Sequence, residues 1–233
     1  MACKDTDQIS QKVKSSPAKE LLSEEQRLAK FYKRKLTAKG DTLLPNIPQD
    51  SVAAFFKRYG KKNEERFVRI NTKYGTITLE LFEGLPLYRS QFIFLVKNKY
   101  FDDTEFYRVV PDFIVQAGNS DTPLAAMRRT SSGNYKLPPM FKEDLRHERG
   151  TLSLAKEWEN NPENWHNPFD FFITLQRSAH LDDEHTIFGK VISGIEVADQ
   201  ISKLDRDGSD WPRESIFITM EALKSPSNDR RSH

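Results

Sequence analysis

The spacing of apolar positions along this chain changes period near residue 66, and with it the kind of element the chain can form. Leu21, Leu28, Tyr32 and Leu36 recur at intervals of seven, four and four, so they share one face of a helix. Its start is signalled twice. Ser16-Pro17 offers an N-cap followed by proline at the first helical position, and Ser23-Glu24-Glu25-Gln26 makes a later capping box. Gly40-Asp41 ends this helix, and Pro45 and Pro48 mark an irregular crossing. A second helix has Asp50 or Ser51 as cap, Val52, Phe55, Phe56 and Tyr59 at i, i+3, i+4 and i+7, and Gly60 as its stop. Beyond residue 66 alternation takes over. Val68 and Ile70, the turn Lys73-Tyr74-Gly75, and Ile77, Leu79 and Leu81 alternating with Thr76, Thr78 and Glu80 predict a hairpin with one buried face. Helical spacing returns after Ser90-Gln91 in Phe92, Leu95, Val96 and Lys99-Tyr100, and again in Val197, Ile201 and Leu204. Ile216-Phe217-Ile218-Thr219-Met220 reads as a closing strand. Many strands with two helices predict a mainly β domain built as a closed antiparallel barrel.

This pattern divides the chain into an N-terminal tail and helical extension (1–66), a domain (67–223) and a polar C-terminal tail (224–233), with residues 4–15 too polar for regular structure. The extension is either an arm packed on the domain or a Phe-rich surface for dimerisation or client holding. A chain of 233 residues with 37% hydrophobic residues and 16 Phe can bury one sizeable core and a small appendage. Lys and Arg at 36 nearly balance Asp and Glu at 34, and a net charge of +2 supplies no overall field for nucleic acid or acidic membrane. Lys57-Arg58, Lys61-Lys62 and Arg128-Arg129 read as solvated faces. No run of eighteen apolar residues spans a membrane, and no secretory signal peptide is visible in the sequence. The single cysteine, Cys3, rules out an internal disulfide and a cysteine-rich metal site. Among His147, His166, His180, His185 and His233 only His180 and His185 are close in sequence, so no metal is expected, and no Gly-x-Ser-x-Gly elbow suggests a hydrolase.

The segment from Phe106 to Gly118 sets one cation, Arg108, and one amide, Gln116, among apolar residues. Side chains of a strand alternate faces, so this segment either borders a pocket or is a core strand with a snorkelling arginine and a bulge near Pro111. It resembles the active-site strand of a cyclophilin. Three later segments resemble the same family in the same order: Gly150-Thr151-Leu152-Ser153-Leu154-Ala155, then Phe171-Phe172-Ile173-Thr174, then the run from His180-Leu181-Asp182 through His185 to Phe188-Gly189-Lys190-Val191. The resemblance covers roughly residues 67 to 223, about two thirds of the chain.

The resemblance implies an eight-stranded antiparallel barrel capped by a helix at each end. A filled interior leaves substrate to bind in a shallow outer groove. It also implies a peptidyl-prolyl cis-trans isomerase that needs no cofactor and assists folding by acting on proline-containing polypeptides. Carried over by position, Arg108 is the catalytic cation, and Gln116 bonds the substrate backbone and holds Arg108 in place. Phe113, Ile114, Phe172 and Leu181 form the proline pocket, Ala155 borders it and His185 closes its rim. Lys156 and Asp170 replace the asparagine and glutamine that normally contact the substrate backbone. They either pair with each other across the groove or narrow the range of peptides accepted. Between them the loop Glu157 to Phe169, longer than is usual and carrying Trp158 and Trp165, is either a packed cap or a lid or recognition surface. His180 stands where many cyclophilins have a tryptophan that contacts cyclosporin, which implies weak cyclosporin binding.

Met1-Ala2-Cys3 resembles the start of a mature bacterial lipoprotein, implying a protein of the bacterial cell envelope with membrane anchoring through a lipid on Cys3. A cytoplasmic location is the alternative. The sequence leaves two further functional readings open: a proline-peptide binding module without useful catalysis, and a holdase chaperone acting through its N-terminal arm.

Overall fold

Around the second predicted helix the chain builds its first packed layer. The computed structural model describes residues 35–226; Cys3, the polar stretch 4–15 and the helical face of Leu21, Leu28 and Tyr32 lie outside them. Leu36 does not continue that helix. It lies in β1 (Lys35–Leu36), which pairs with β2 (Thr42–Leu43), and is 61% exposed. Gly40 at φ +88° turns this hairpin, its N–H bonding the Thr37 carbonyl at 3.0 Å. A left-handed glycine serves a helix end and a tight turn equally, so the residue alone could not tell them apart.

Helix α1 (Val52–Lys62) buries Val52, Phe55, Phe56 and Tyr59 as their spacing predicts. Gly60 is not its stop. It is buried within the helix, because a Cβ there would overlap the Ser90 hydroxyl of α2 (Pro86–Lys97). The end is held from α2, where the Arg89 guanidinium donates to the carbonyls of Asn63 and Glu65 at 3.0 and 3.1 Å. The rings of Phe55, Phe56 and Tyr59 surround Phe94 of α2 at 5.5, 5.6 and 5.3 Å. Phe92, on another side of α2, meets Phe101 of a 3-10 turn (Phe101–Asp103) and Phe171 and Phe188 of the sheet at 5.2, 5.5 and 5.3 Å. Residues 52–62 are therefore an arm packed on the domain. Removing Phe55 and Phe56 from water contributes about 3–6 kcal/mol. Helix α2 starts at Pro86, four residues ahead of Ser90, and the Ser90 hydroxyl bonds back to the Pro86 carbonyl at 2.6 Å.

Eight strands form one antiparallel sheet: β3 (Phe67–Thr72), β4 (Gly75–Leu81), β5 (Glu105–Val110), β6 (Ile114–Asn119), β7 (Thr151–Leu154), β8 (Phe171–Thr174), β9 (Ile187–Ser193) and β10 (Thr219–Leu223). Their order is β10-β3-β4-β9-β7-β8-β6-β5. The sheet curls so that its edge strands approach, but no continuous ladder closes it. The seam is Ile216–Ile218, where the Phe106 N–H bonds the Ile216 carbonyl and the Ile218 N–H bonds the Thr104 carbonyl, both at 3.0 Å. The mainly β, eight-stranded antiparallel expectation stands, and "closed barrel" narrows to a curled sheet joined over three residues. Those residues are spent at the seam, which is why the last strand begins at Thr219 and not at Ile216.

Two further α-helices lie among the described residues. Helix α4 (Ile195–Ser202) presents Val197, Ala198 and Ile201 to β4, β5 and β6. Helix α3 (Pro123–Ser132) was not expected, although Thr122 caps it, Pro123 opens it and Gly133 at φ +94° ends it. Its arginines are not a solvated face. Arg128 donates to the carbonyls of Lys99 and Thr42 at 2.7 and 3.1 Å and pairs with Asp103, and Arg129 pairs with Asp170 at 2.6 Å.

Candidate functional site

The stretch from Phe106 to Gly118 is a hairpin, not one strand. β5 and β6 are joined at Pro111-Asp112-Phe113, with Asp112 at φ +55° and the Phe113 N–H bonding the Val110 carbonyl at 3.1 Å. No bulge sits at Pro111. Pairing steps from Phe106↔Ala117 to Arg108↔Gln116, leaving Tyr107 extra on β5, and from Glu105↔Asn119 to Phe106↔Ala117, leaving Gly118 extra on β6. The first bulge brings the Tyr107 hydroxyl beside Gln116, whose amide donates to it. Val109, Val115 and Ala117 are fully buried in the sheet's interior, while Arg108, Ile114 and Gln116 take the opposite face.

Across the neighbouring strands Gln116 pairs with Phe172 of β8, and Phe172 with Ser153 of β7. Arg108, Gln116, Phe172 and Ser153 thus form one lateral row over four strands. Adjacent strands lie about 4.8 Å apart, which sets the backbones of Arg108 and Phe172 roughly 10 Å apart. That gap accommodates a proline ring and the amide that precedes it. Ile114, Phe172 and Leu181 form a buried apolar cluster, with Val110 and Phe113 packed against it. Leu181 arrives on a single 3-10 turn, Ala179–Leu181, which also sets the exposed His180 ring 5.2 Å from Phe113.

Three buried imidazoles, His185, His147 and His166, lie at and behind this pocket, each engaged by hydrogen bonds. His185 meets the Phe172 ring edge-on at 5.1 Å and donates from Nδ1 to the Leu154 carbonyl at 2.9 Å, so its Nε2 carries no proton. Burial, assisted by the Lys156 charge, holds its pKa down to about 4, and it is neutral at neutral pH. His147 stacks on Phe172 at 6.1 Å. Its Nδ1 and its backbone N–H both donate to Asp182 Oδ1, at 3.0 and 2.8 Å, and its Nε2 accepts from the Ser153 hydroxyl at 3.0 Å. The Asp182, His147, Ser153 chain has the connectivity of a hydrolase, but His147 and Ser153 are fully buried and no substrate carbonyl reaches them. His166 accepts the Thr186 N–H at 3.1 Å, and burial lowers its pKa to about 3.

Arg108 is 39% exposed, and its Nε lies 3.4 Å from Asp210 Oδ2. The Val109 N–H bonds the Asp210 carbonyl at 2.9 Å, tying the loop that carries this carboxylate to β5. Asp210 therefore holds the arginine, the role expected of Gln116, whose amide is engaged by Tyr107. Trp211 packs on the Tyr107 ring at 5.4 Å and completes the support. Neither Tyr107 nor Asp210 was singled out by the sequence. Asp210 follows an Asp-Gly-Ser turn that nothing in the pattern links to β5.

Lys156 and Asp170 do not pair with each other. The Lys156 side chain is 3% exposed, and its ammonium bonds Glu184 and Asn164 and lies 4.3 Å from the Trp158 ring centre. The hydrogen bond from Lys156 holds the Glu184 carboxyl below its ordinary range. Asp170 accepts from Arg129 at 2.6 Å and from Asn167 at 2.7 Å, and burial pushes its pKa up against the pull of Arg129. Ala155 bonds Asp170 and Asn167 through its backbone at 2.9 and 2.8 Å, so the loop after it leaves and returns at one point. Within that loop Asn161 bonds the backbone N–H and carbonyl of the half-buried Trp165, at 3.0 and 2.8 Å. Trp158 is 71% exposed. The packed-cap expectation thus fits Trp165 and fails for Trp158.

The family model "Cyclophilin type peptidyl-prolyl cis-trans isomerase/CLD" matches residues 67–222. Peptidyl-prolyl cis-trans isomerase ppi1 of Schizosaccharomyces pombe is 37% identical over 153 residues, covering 65% of this chain and 94% of the relative. Peptidyl-prolyl cis-trans isomerase-like 2 of Rhizopus delemar is 34% identical over 162 residues, covering 69% of this chain but only 29% of that longer protein. A crystal structure of a cyclophilin type peptidyl-prolyl cis-trans isomerase from Cryptosporidium parvum superposes with a TM-score of 0.58 at 28% identity, covering 70% of this chain and 99% of that one. The same protein has been solved in the presence of the dipeptide Ala-Pro, with the same TM-score.

Proposed function

The chain belongs to the cyclophilin-type peptidyl-prolyl cis-trans isomerases, and we propose that the row Arg108, Gln116 and Phe172, with the pocket beside it, is where it turns the bond before proline. Rotation about a peptide bond meets a barrier of about 18–20 kcal/mol because the nitrogen lone pair is shared with the carbonyl. No covalent bond is broken. The surface has only to bind the twisted amide better than either planar isomer.

Ile114, Phe172 and Leu181 hold the proline ring, with Phe113 and His185 as walls. Neutral and bonded to the Leu154 carbonyl, His185 acts as a wall and not as a base. Twisting localises the nitrogen lone pair, which then accepts a hydrogen bond from Arg108. The guanidinium suits this role because it stays charged and presents several directed donors, and Asp210 fixes its position. Gln116, whose amide donates to Tyr107, bonds the substrate backbone next to the bond that turns. The one observation that carries this assignment is the shared row, which faces a cation and an aromatic wall across the width of a proline residue.

Exchange NMR on an X-Pro peptide, comparing the intact protein with Arg108→Ala, tests it. Loss of one preorganised donor lowers kcat/KM about 10²–10³-fold. An Arg108→Ala protein that keeps full acceleration removes Arg108 from the mechanism. A folded intact protein that binds the peptide without accelerating it would instead be a proline-peptide binding module.

Proline-containing polypeptides are the proposed substrates, supported by the Cryptosporidium relative solved in the presence of Ala-Pro. We assign residues 67–223 as the catalytic domain, 1–66 as the extension and 224–233 as a tail. Among the described residues no helix is long and apolar enough to cross a membrane. The relatives named above are eukaryotic and lend no support to a bacterial envelope location. Lipid attachment rests on Met1-Ala2-Cys3 alone, and metabolic lipid labelling of the full gene product decides it.

A further inference from the structure

Trp158 is the most exposed of the large apolar side chains on this face, and its position is built. The loop that carries it is pinned on both sides of Asn161, by bonds to the Glu157 and Trp165 carbonyls at 3.0 and 2.8 Å. One face of the indole covers the Lys156 ammonium at 4.3 Å, and that ammonium is anchored in turn to Glu184 and Asn164. The ring also meets His185 at 5.7 Å, and His185 meets Phe172 at 5.1 Å. An unbroken aromatic path therefore runs from the floor of the proline pocket, over its rim, to a ring that is 71% open to solvent. The ring is held by Lys156 beneath one face and by His185 at its side, so part of the ordering cost of an aromatic anchor is already met before any peptide arrives.

We propose that Trp158 is a specificity-determining residue, and that its open face takes an aromatic side chain placed two or three residues from the proline held in the pocket. The inference rests on the isomerase reading for where the proline sits. Two ring contacts separate Phe172 from Trp158, and an extended peptide covers about 3.3–3.6 Å per residue, which sets the two-to-three-residue separation. A ring stacked on Trp158 gains from contact with an exposed indole that is lost again when the peptide leaves, so the preference belongs mainly in KM.

The experiment uses the full chain and a set of short peptides with one proline and a single Phe placed two or three residues before or after it, each matched to an Ala version. Exchange NMR gives kcat/KM, kcat and KM, and the Trp158 indole N–H resonance reports binding in the same samples. One Phe position should be favoured roughly three- to tenfold over its Ala match, mostly through KM. In Trp158→Ala that ratio falls to near one, and in Trp158→Phe it is largely retained. A ratio near one for every peptide with the intact protein, or a ratio that survives in Trp158→Ala, overturns the proposal. If no peptide is turned over, the isomerase reading fails by itself. Preferential binding of the Phe peptide that disappears in Trp158→Ala then still supports the proposal, and equal binding of both peptides overturns it.

Discussion

Lowering the pH from about 7.5 to about 5 should remove about 4 kcal/mol of folding stability through two imidazoles beside the pocket. His185 and His166 have folded pKa values of about 4 and about 3, against an ordinary 6.5. Burial is the main cause for both. The Lys156 charge lowers both further, and each also feels a neighbouring imidazole, His185 acting on His166 and His147 on His185. An unfolded chain takes up these protons near 6.5, whereas the folded chain resists them. Stability is therefore fully present above that value and is lost as the pH falls toward 4. At pH 5 nearly every unfolded imidazole is protonated and few folded ones are. Each group then withdraws about 2 kcal/mol, a figure that depends little on how far below 5 the folded value lies. His147 is also lowered by burial and acts in the same direction. Glu184, held low by Lys156, adds its loss only as the pH falls below the ordinary carboxylate range. Asp170 and Glu105, raised by burial, act with the opposite sign and do so above the ordinary carboxylate range, because the folded chain takes up those protons before the unfolded one.

Urea unfolding followed by ellipticity at constant ionic strength measures the effect. His185→Gln removes one titrating ring while keeping a donor for the Leu154 carbonyl, and it should reduce the pH-dependent loss by about 2 kcal/mol. A stability that is flat between pH 7.5 and 5, or an undiminished slope in His185→Gln, would show that these imidazoles are not held neutral by burial.

Three other outcomes follow from the packing. Gly118→Ala should destabilise the fold by roughly 3 kcal/mol or more, because Gly118 sits at φ +112° and a Cβ would overlap the Phe169 carbonyl; a thermal melt within a degree or two of the parent would contradict this. Phe56→Ala should cost about 3–5 kcal/mol in denaturant unfolding yet change kcat/KM by less than about twofold where the protein is folded, since the Phe56 ring packs on Phe55, Phe94 and Tyr135 and on none of the row. A large activity loss would instead tie α1 to the site. Cyclosporin should bind weakly, because an exposed imidazole, His180, borders Phe113 in place of a larger indole, and a submicromolar affinity by calorimetric titration would be the contrary result.

Much of the candidate site is legible in the sequence, because its central residues lie on elements with strong periodic signals. Phe113, Ile114, Gln116 and Phe172 sit in or beside strands whose alternation separates an inner from an outer face, and pairing then sets Arg108, Gln116 and Phe172 in one row. What could not be read was the support. The contact from Arg108 to Asp210 joins a strand to a distant irregular loop, and no spacing rule connects the two. The glycines misled for a different reason. Gly40 and Gly60 both read as helix ends, but one supplies a left-handed turn and the other a close helix crossing at Ser90, and the same absence of a Cβ answers all three needs.

Of the two alternatives for Lys156 and Asp170, the ion pair across the groove fails for a single structural reason. Helix α3 is short, its core-facing positions include Arg128, and its arginine pair reads as surface, so its partners could not be assigned. Once α3 is in place, Arg129 reaches Asp170 at 2.6 Å and satisfies the carboxylate that Lys156 was expected to meet. Lys156, almost wholly buried, must then find its counter-charge elsewhere, because a buried ammonium without a partner carries a heavy desolvation penalty. It finds Glu184, one residue before His185, and draws the Trp158 ring over its open side. The position of an exposed tryptophan at the rim of the proline pocket thus follows from a helix that touches neither. That is why the loop from Glu157 to Phe169 is the least legible part of the candidate site, although every residue in it is visible in the sequence.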